Sequence, residues 1–245
     1  MASVQGKLMK ASDLTKVYQG HFVVNDVNIS VGPGEIVGLL GPNGAGKTTT
    51  FYMIVGLVPA DSGKIYFEGK DITRLPVYQR ARTGMGYLSQ EPSIFRKLTV
   101  EENIMAVLET LDISRQERRS RLGVLLQDLG IARLGKQKAY TLSGGERRKL
   151  EITRALVREP SMIMLDEPFS GVDPIAVQDI QLILSKLRDR GLGILITDHN
   201  VRETLAVVDR AYLLYEGKIL REGKSDFLIK DKVSRDLYLG QGFRM

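Results

Sequence analysis

The run Gly41-Pro42-Asn43-Gly44-Ala45-Gly46-Lys47-Thr48 has the spacing G-x-x-x-x-G-K-[ST], a loop able to wrap a chain of phosphates. Its glycines let successive backbone N–H groups converge on phosphate oxygens where a Cβ would stand in the way. A helical pattern opens at Thr48 and runs to Gly56, so the loop leads into a helix N-terminus whose positive end favours anions. Lys47 is expected to reach the β- and γ-phosphates and the Thr48 hydroxyl to ligate Mg²⁺; Thr49 completes a nucleotide-binding run from Gly41. Farther on, Met162-Ile163-Met164-Leu165-Asp166-Glu167 is an apolar strand pattern that ends in two carboxylates. Asp166 is placed to hold the Mg²⁺ shell through water, and Glu167 to polarise an attacking water. Phosphoryl transfer to water needs in-line positioning and charge stabilisation more than covalent help. These two runs can supply both.

A third run, Leu142-Ser143-Gly144-Gly145-Glu146, reads locally as a capping box, with Ser143 at the N-cap and Glu146 at N3. A cap does not call for glycine at N1 and N2, where each lowers helix stability by roughly 1 kcal/mol. Exposed N–H groups at an uncluttered helix start make sense if the phosphate of another molecule docks there.

Several short apolar runs must hold these groups in place. Ile36–Leu40, Met85–Leu88, Met162–Leu165 and Ile194–Thr197 are continuous in the manner of strands buried on both faces, as in a parallel sheet. Helical patterns lie between them, among them Pro174–Arg190, with Asp173 as N-cap, Pro174 at N1 and Gly191 past the end. This alternation predicts an α/β sheet. Lys7–Leu14, Phe22–Val31 and Lys64–Phe67 alternate apolar and polar residues and are joined by Gly-containing turns, which predicts antiparallel pairing. Between Glu91 and Pro160 the strand signal stops. Helices are expected there over Val100–Leu111, over Arg115–Leu129 behind a Ser114…Glu117 capping box, and over Gly144–Arg158. The tail from Ser225 begins charged and helical and ends in Tyr238-Leu239-Gly240…Phe243-Arg244.

The 245 residues suit one large domain or one domain with an insertion, and 43% hydrophobic residues suffice for a core. A net charge of +6 suits anionic partners without choosing among nucleotide, membrane surface and nucleic acid. Zero cysteines exclude disulfides, thiolate metal sites and cysteine nucleophiles. The start, Met1 to Lys7, lacks the apolar stretch of a signal peptide, and apolar tracts such as Phe51–Ala60 are about half of the ~20 residues a membrane helix needs. A cytoplasmic protein with at most a peripheral membrane role is expected.

The order of these runs (P-loop, Gln90 after the Tyr87-Leu88 strand, Leu142–Glu146, Asp166-Glu167, Asp173, His199) resembles the complete motif series of the ATP-binding-cassette (ABC) ATPases and spans nearly the whole chain. The resemblance implies a P-loop NTPase of α/β class. It would have a RecA-like parallel-sheet core with an antiparallel β subdomain (7–90 and 160–224), an inserted helical subdomain (91–159) and a C-terminal helix and tail (225–245). It further implies a head-to-tail homodimer with two ATP molecules and Mg²⁺, each ATP held by the P-loop of one chain and by Ser143, Gly144 and Gly145 of the other. Carried over by position, Tyr18 would stack on adenine and Gln90 would contact Mg²⁺ or the attacking water. Asp173 would sit in the loop between the two sites, and His199 would meet the γ-phosphate. His21 has no such support and reads as surface.

Within the family, the sequence is most similar to the ATPases of lipopolysaccharide export. That likeness rests on Gly38–Met53, Gln90–Arg96, Asp166–Pro174, Thr197–Leu205 and the terminal run Tyr238-Leu239-Gly240…Phe243-Arg244. Ser170 and Ser89 depart from the Ala and Pro common at those positions. The likeness implies that Phe95 and Arg96 line a groove for a coupling helix of integral membrane subunits (LptF/LptG-like), that the tail around Phe243 strengthens the dimer, and that no nucleic acid is bound. A branched-chain amino-acid importer ATPase is an alternative, although such proteins usually carry a longer segment than Ala60–Ser89. A soluble ABC protein of iron–sulfur assembly or nucleic-acid work is another, without the second cassette or coiled-coil insertion that would mark several of its kinds.

Overall fold

The computed structural model describes residues 6–243 and Met245. Met1–Gln5 of the start that lacks a signal-peptide pattern, and Arg244 of the terminal run, lie outside the described residues.

Two sheets form from the two kinds of strand pattern. β1 (Met9–Tyr18) and β2 (His21–Val31) pair antiparallel across the turn at Gln19-Gly20. β3 (Ile36–Leu40) has all five residues buried and leads through the glycine loop into α1 (Lys47–Val55). β4 (Ser62–Phe67) and β5 (Lys70–Asp71) join β1 and β2, and α2 (Val77–Arg82) and β6 (Met85–Leu88) follow. Then come α3 (Val100–Leu108), α4 (Arg115–Asp128) and α5 (Gly144–Leu156). β7 (Met162–Asp166), α6 (Pro174–Asp189), β8 (Gly193–Thr197) and α7 (Val201–Val207) resume the strand–helix alternation. A hairpin of β9 (Arg210–Tyr215) and β10 (Lys218–Gly223) precedes α8 (Ser225–Lys230) and α9 (Lys232–Ser234).

One sheet has the order β2-β1-β4-β5 and is antiparallel; the other has the order β10-β9-β3-β8-β7-β6. In the second, β9, β3, β8, β7 and β6 run parallel and β10 closes one edge antiparallel. Because strand side chains alternate between faces, each buried strand feeds two cores. Ile36, Leu40, Ile163, Leu165, Ile194 and Ile196 face the layer that holds α3, α5 and α6. Val37, Leu39, Met162, Met164 and Leu195 face α1 and the antiparallel sheet.

The structure departs from expectation in four local ways. Beyond the four apolar runs a further buried strand follows: β9, with Ala211–Leu214 all buried, pairs with β3. The helix expected to reach Leu111 stops at Leu108, where the Thr110 hydroxyl donates to the Val107 carbonyl. The helix expected to reach Arg158 stops at Leu156. Ser114 caps α4 by accepting from the Glu117 N–H at 3.1 Å, but the reciprocal bond is absent because the Glu117 carboxylate pairs with Arg121 at 3.0 Å. Among the described residues of 91–159 the one β-type contact is an isolated bridge between Thr99 and Lys138. In the tail, Tyr238, Leu239 and Phe243 pack against the helix-side core, so the tail is anchored on its own chain.

Candidate active site

The C-terminal ends of the parallel strands converge on one crevice, the usual ligand position of such sheets. β3 delivers the glycine loop, β6 delivers Gln90, β7 ends in Asp166, and β8 leads to His199. Two glycines are required by geometry. Gly41 has φ 149 and a Cβ there would lie 2.3 Å from the Leu214 carbonyl oxygen; Gly46 has φ 96 and a Cβ would lie 2.4 Å from that of Val23. Gly46 is also the N-cap of α1 and has no side chain with which to cap it. The first-turn N–H groups of α1 therefore keep their donors for a ligand. Lys47 Nζ donates to the carbonyls of Gly41 at 2.7 Å and Pro42 at 2.9 Å, which holds the ammonium inside the loop. Burial lowers its pKa, and the nearby Glu167 charge opposes that shift. The resulting cleft, about 200 Å³, is lined by Val23, the loop from Asn43 to Thr49, Glu167, Thr197 and His199. A larger cavity of about 730 Å³ lies between α4 and the ends of α5 and α6, bordered by none of these residues.

Glu167 is held in a left-handed backbone conformation, φ 47, with its N–H donating to the Thr197 carbonyl at 2.7 Å. For a non-glycine residue this costs on the order of 1–3 kcal/mol and persists only where the surroundings enforce it. Its Oε2 accepts from Gln90 Nε2 at 2.8 Å and lies 3.2 Å from His199 Nδ1. Sequence analysis placed these three groups near the reacting phosphate, and they meet at one carboxylate oxygen.

Asp166 is 3% exposed, and its carboxyl is pushed up to about 6, mainly by burial and further by the Glu167 charge. Its Oδ2 is buried with no hydrogen-bond partner. An orphaned carboxylate oxygen at the end of β7, one residue before the Glu167 that lines the cleft, fits Mg²⁺ or a water of its shell. Mg²⁺ takes few protein oxygens beside substrate phosphate.

Ser143 and Glu146 form the expected reciprocal cap: Glu146 N–H donates to Ser143 Oγ at 3.3 Å, and Ser143 N–H to Glu146 Oε2 at 3.0 Å. None of Leu142–Glu146 lines the cleft. The paired glycines have a packing reason that the sequence did not reveal. A Cβ on Gly145 would lie 2.3 Å from that of Ala176, and one on Gly144 would lie 3.0 Å from the Gly171 carbonyl oxygen. The start of α5, the signature helix of the family resemblance, thus abuts the start of α6, where Asp173 caps by accepting from the Ala176 N–H at 3.0 Å. Tyr18 stands at the end of β1, 46% exposed, with Lys16 Nζ 5.4 Å from its ring centroid, and does not border the cleft.

Phe95 is half exposed and Arg96 exposed, on the loop that follows Gln90. Buried Asn103 fixes this loop, accepting from the Phe95 N–H at 2.8 Å and donating to the Phe95 carbonyl at 3.0 Å. The Arg154 guanidinium lies 4.7 Å from the Phe95 ring centroid, a cation–π distance. Sequence reasoning missed Asn103, Arg154 and Arg148. The available signal for Arg148 was a charged residue on the inward face of α5, three residues after Gly145 and four before Ile152.

The family model described as "ABC transporter" matches residues 24–170. The lipopolysaccharide export system ATP-binding protein LptB of Acidithiobacillus ferridurans is 53% identical over 239 residues, covering 98% of this chain and 99% of the relative. Among solved structures, the ADP conformation of MJ1267, an ATP-binding cassette of an ABC transporter, aligns with a TM-score of 0.86 at 29% identity, over 96% of this chain and 99% of that one. A dimeric post-hydrolysis state of the cassette MJ0796 bound to ADP and Pi aligns with a TM-score of 0.77 at 26% identity, over 89% and 98%. With the phosphate loop, the paired carboxylates and the signature helix all in place, this chain belongs to the ABC transporter family as an ATP-binding, ATP-hydrolysing cassette.

Proposed function

We propose that this chain powers a lipopolysaccharide exporter, working as a homodimer on the cytoplasmic face of the inner membrane against subunits of the LptF/LptG kind. The observation that carries this reading is the likeness to LptB over almost the full length of both proteins. No helix among the described residues is long and apolar enough to cross a membrane, which agrees with partners that supply the membrane span. The exposed Phe95 and Arg96, backed by Asn103 and Arg154, offer a braced surface for a coupling helix.

In the chemical step, the N–H groups of the loop and α1 bind the ATP phosphates, and Lys47 moves from its loop carbonyls to the phosphate oxygens. The Thr48 hydroxyl and Asp166, the latter directly or through water with Gln90 nearby, would hold Mg²⁺, which would supply positive charge against the phosphates. Glu167 takes the proton side of the attacking water, and Gln90 and His199 fix its carboxylate orientation. Tyr18, outside the cleft, is free to stack on the adenine. Ser143, Gly144, Gly145 and Glu146, with Asp173 beside them, serve the nucleotide of the partner subunit.

The test is co-expression with LptF/LptG-type subunits and capture through the membrane component. The chain is expected to co-purify, and Phe95→Ala, a change at a half-exposed position, to lose capture while keeping its melting temperature. Equal capture of variant and wild type removes the groove assignment. Failure of the wild type to associate, with capture instead by the membrane subunits of an amino-acid importer, overturns the export reading.

A further inference from the structure

One buried side chain outside the described machinery holds the backbone on both sides of Glu167 and next to Gln90. Arg148, on α5, is 6% exposed. Its Nη1 donates to the Ser89 carbonyl at 3.1 Å and to Glu151 Oε2 at 2.9 Å; its Nη2 donates to the Asp166 carbonyl at 2.9 Å, and its Nε to the Pro168 carbonyl at 3.2 Å. Ser89 immediately precedes Gln90, and Asp166 and Pro168 flank Glu167 on either side. One planar guanidinium therefore holds the main chain on both sides of the carboxylate and also the main chain leading to its amide partner. Glu167 sits at φ 47, a conformation its own side chain does not favour. Glu151 supplies the countercharge, and its second oxygen, also buried, has no partner.

We propose that Arg148 is a positioning residue for hydrolysis: it locks the Gln90–Glu167 pair in register and makes that register depend on where α5, the helix that begins at Ser143, is seated. The fork geometry of arginine is what the site uses, since three carbonyls in different directions need fixed donors on a rigid plane. A lysine ammonium in the same place could reach one or two of them.

The test must separate positioning from folding, because removing Arg148 alone leaves Glu151 buried without its partner. The double substitution Arg148→Met with Glu151→Met removes both charges together and keeps the volume, so the fold is expected to survive. In the full-length chain, kcat for Mg·ATP is expected to fall at least 30-fold while KM changes less than threefold. Hydrogen exchange of the amides from Ser89 to Glu91 and from Glu167 to Phe169 is expected to quicken at least tenfold, with the remaining core strands unaltered. Arg148→Lys, which keeps the charge on Glu151, is expected to recover part of kcat and only part of the exchange protection. A kcat within threefold of wild type in the double variant overturns the proposal. So does a loss of kcat accompanied by uniformly faster exchange across β3, β7 and β8, which would mark a general structural role.

Discussion

Replacing Glu167 with glutamine changes one oxygen to an amide nitrogen and leaves the shape of the site intact. The Gln90 Nε2 donor, 2.8 Å from Oε2, can still be accepted by the amide oxygen of the substituted side chain, so the loop need not move. What disappears is the negative charge and the basicity that the attacking water requires. A positioned general base contributes typically 10²–10⁴-fold, or about 3–5 kcal/mol of barrier at 1.36 kcal/mol per decade. The Glu167 side chain is 25% exposed and shares its oxygen with two polar partners, which argues for the middle of that range, a loss of ~10³ in kcat. Binding should not suffer, because removing a carboxylate beside the triphosphate leaves less repulsion for Lys47 to offset. Phosphate release at saturating Mg·ATP measures the first effect, and size-exclusion chromatography with ATP the second, where a persistent dimer is expected. Turnover within tenfold of wild type would refute the role given to this carboxylate.

Three further perturbations have definite outcomes. Gly46→Ala places a Cβ 2.4 Å from a carbonyl oxygen at φ 96, so binding of a fluorescent ATP analogue is expected to weaken at least 100-fold; binding within threefold would show that the loop yields more easily than its geometry implies. Asn103→Ala removes the partner of the part-buried main-chain groups of Phe95 and is expected to cost about 1–3 kcal/mol and several degrees in Tm, a loss that thermal melting would detect; an unchanged Tm counts against Asn103 as the brace of that loop. Burial holds the Asp166 carboxyl near 6 in the folded chain, above its ordinary value of 3.8. The folded state therefore binds this proton more tightly than the unfolded chain does, and its contribution to stability is present below about pH 4 and lost as pH rises through about 6. In metal-free buffer at pH 7.5, Asp166→Asn is expected to be more stable than wild type by at most about 3 kcal/mol, with the gap closing toward pH 4 and, at pH 7.5, on adding Mg·ATP. A variant less stable than wild type at every pH would show that the carboxylate is satisfied in some other way.

The phosphate loop was legible because its chemistry depends on residue type at fixed local spacing, and the loop glycines, Lys47 and Thr48 follow one another in the chain. The parallel strands were legible for a similar reason: β3, β7 and β8 are unbroken apolar runs, and burial on both faces follows directly. β9 was harder because Arg210 opens it and Tyr215 closes it only partly buried, which blurs the run. Arg148 was illegible because its meaning lies in carbonyls 18, 20 and 59 residues away, which no local pattern connects. Gly145 was legible as special but for an incomplete reason, since its neighbour Ala176 arrives through the packing of two helices. Local spacing marks groups that act on a ligand; groups that hold other groups emerge only from the three-dimensional contacts.

The proposed homodimer, in which Leu142–Glu146 serve the nucleotide of the partner subunit, has a consequence in genetics. A chain crippled at Lys47 keeps a sound signature, and a chain crippled at Ser143 keeps a sound phosphate loop. Each alone is dead. Mixed together, half of the dimers pair one of each, and every such dimer has one site with both defects and one site with none. Two null alleles should then complement each other in one cell, recovering roughly a quarter of wild-type turnover if the two sites fire independently and less if they must fire together.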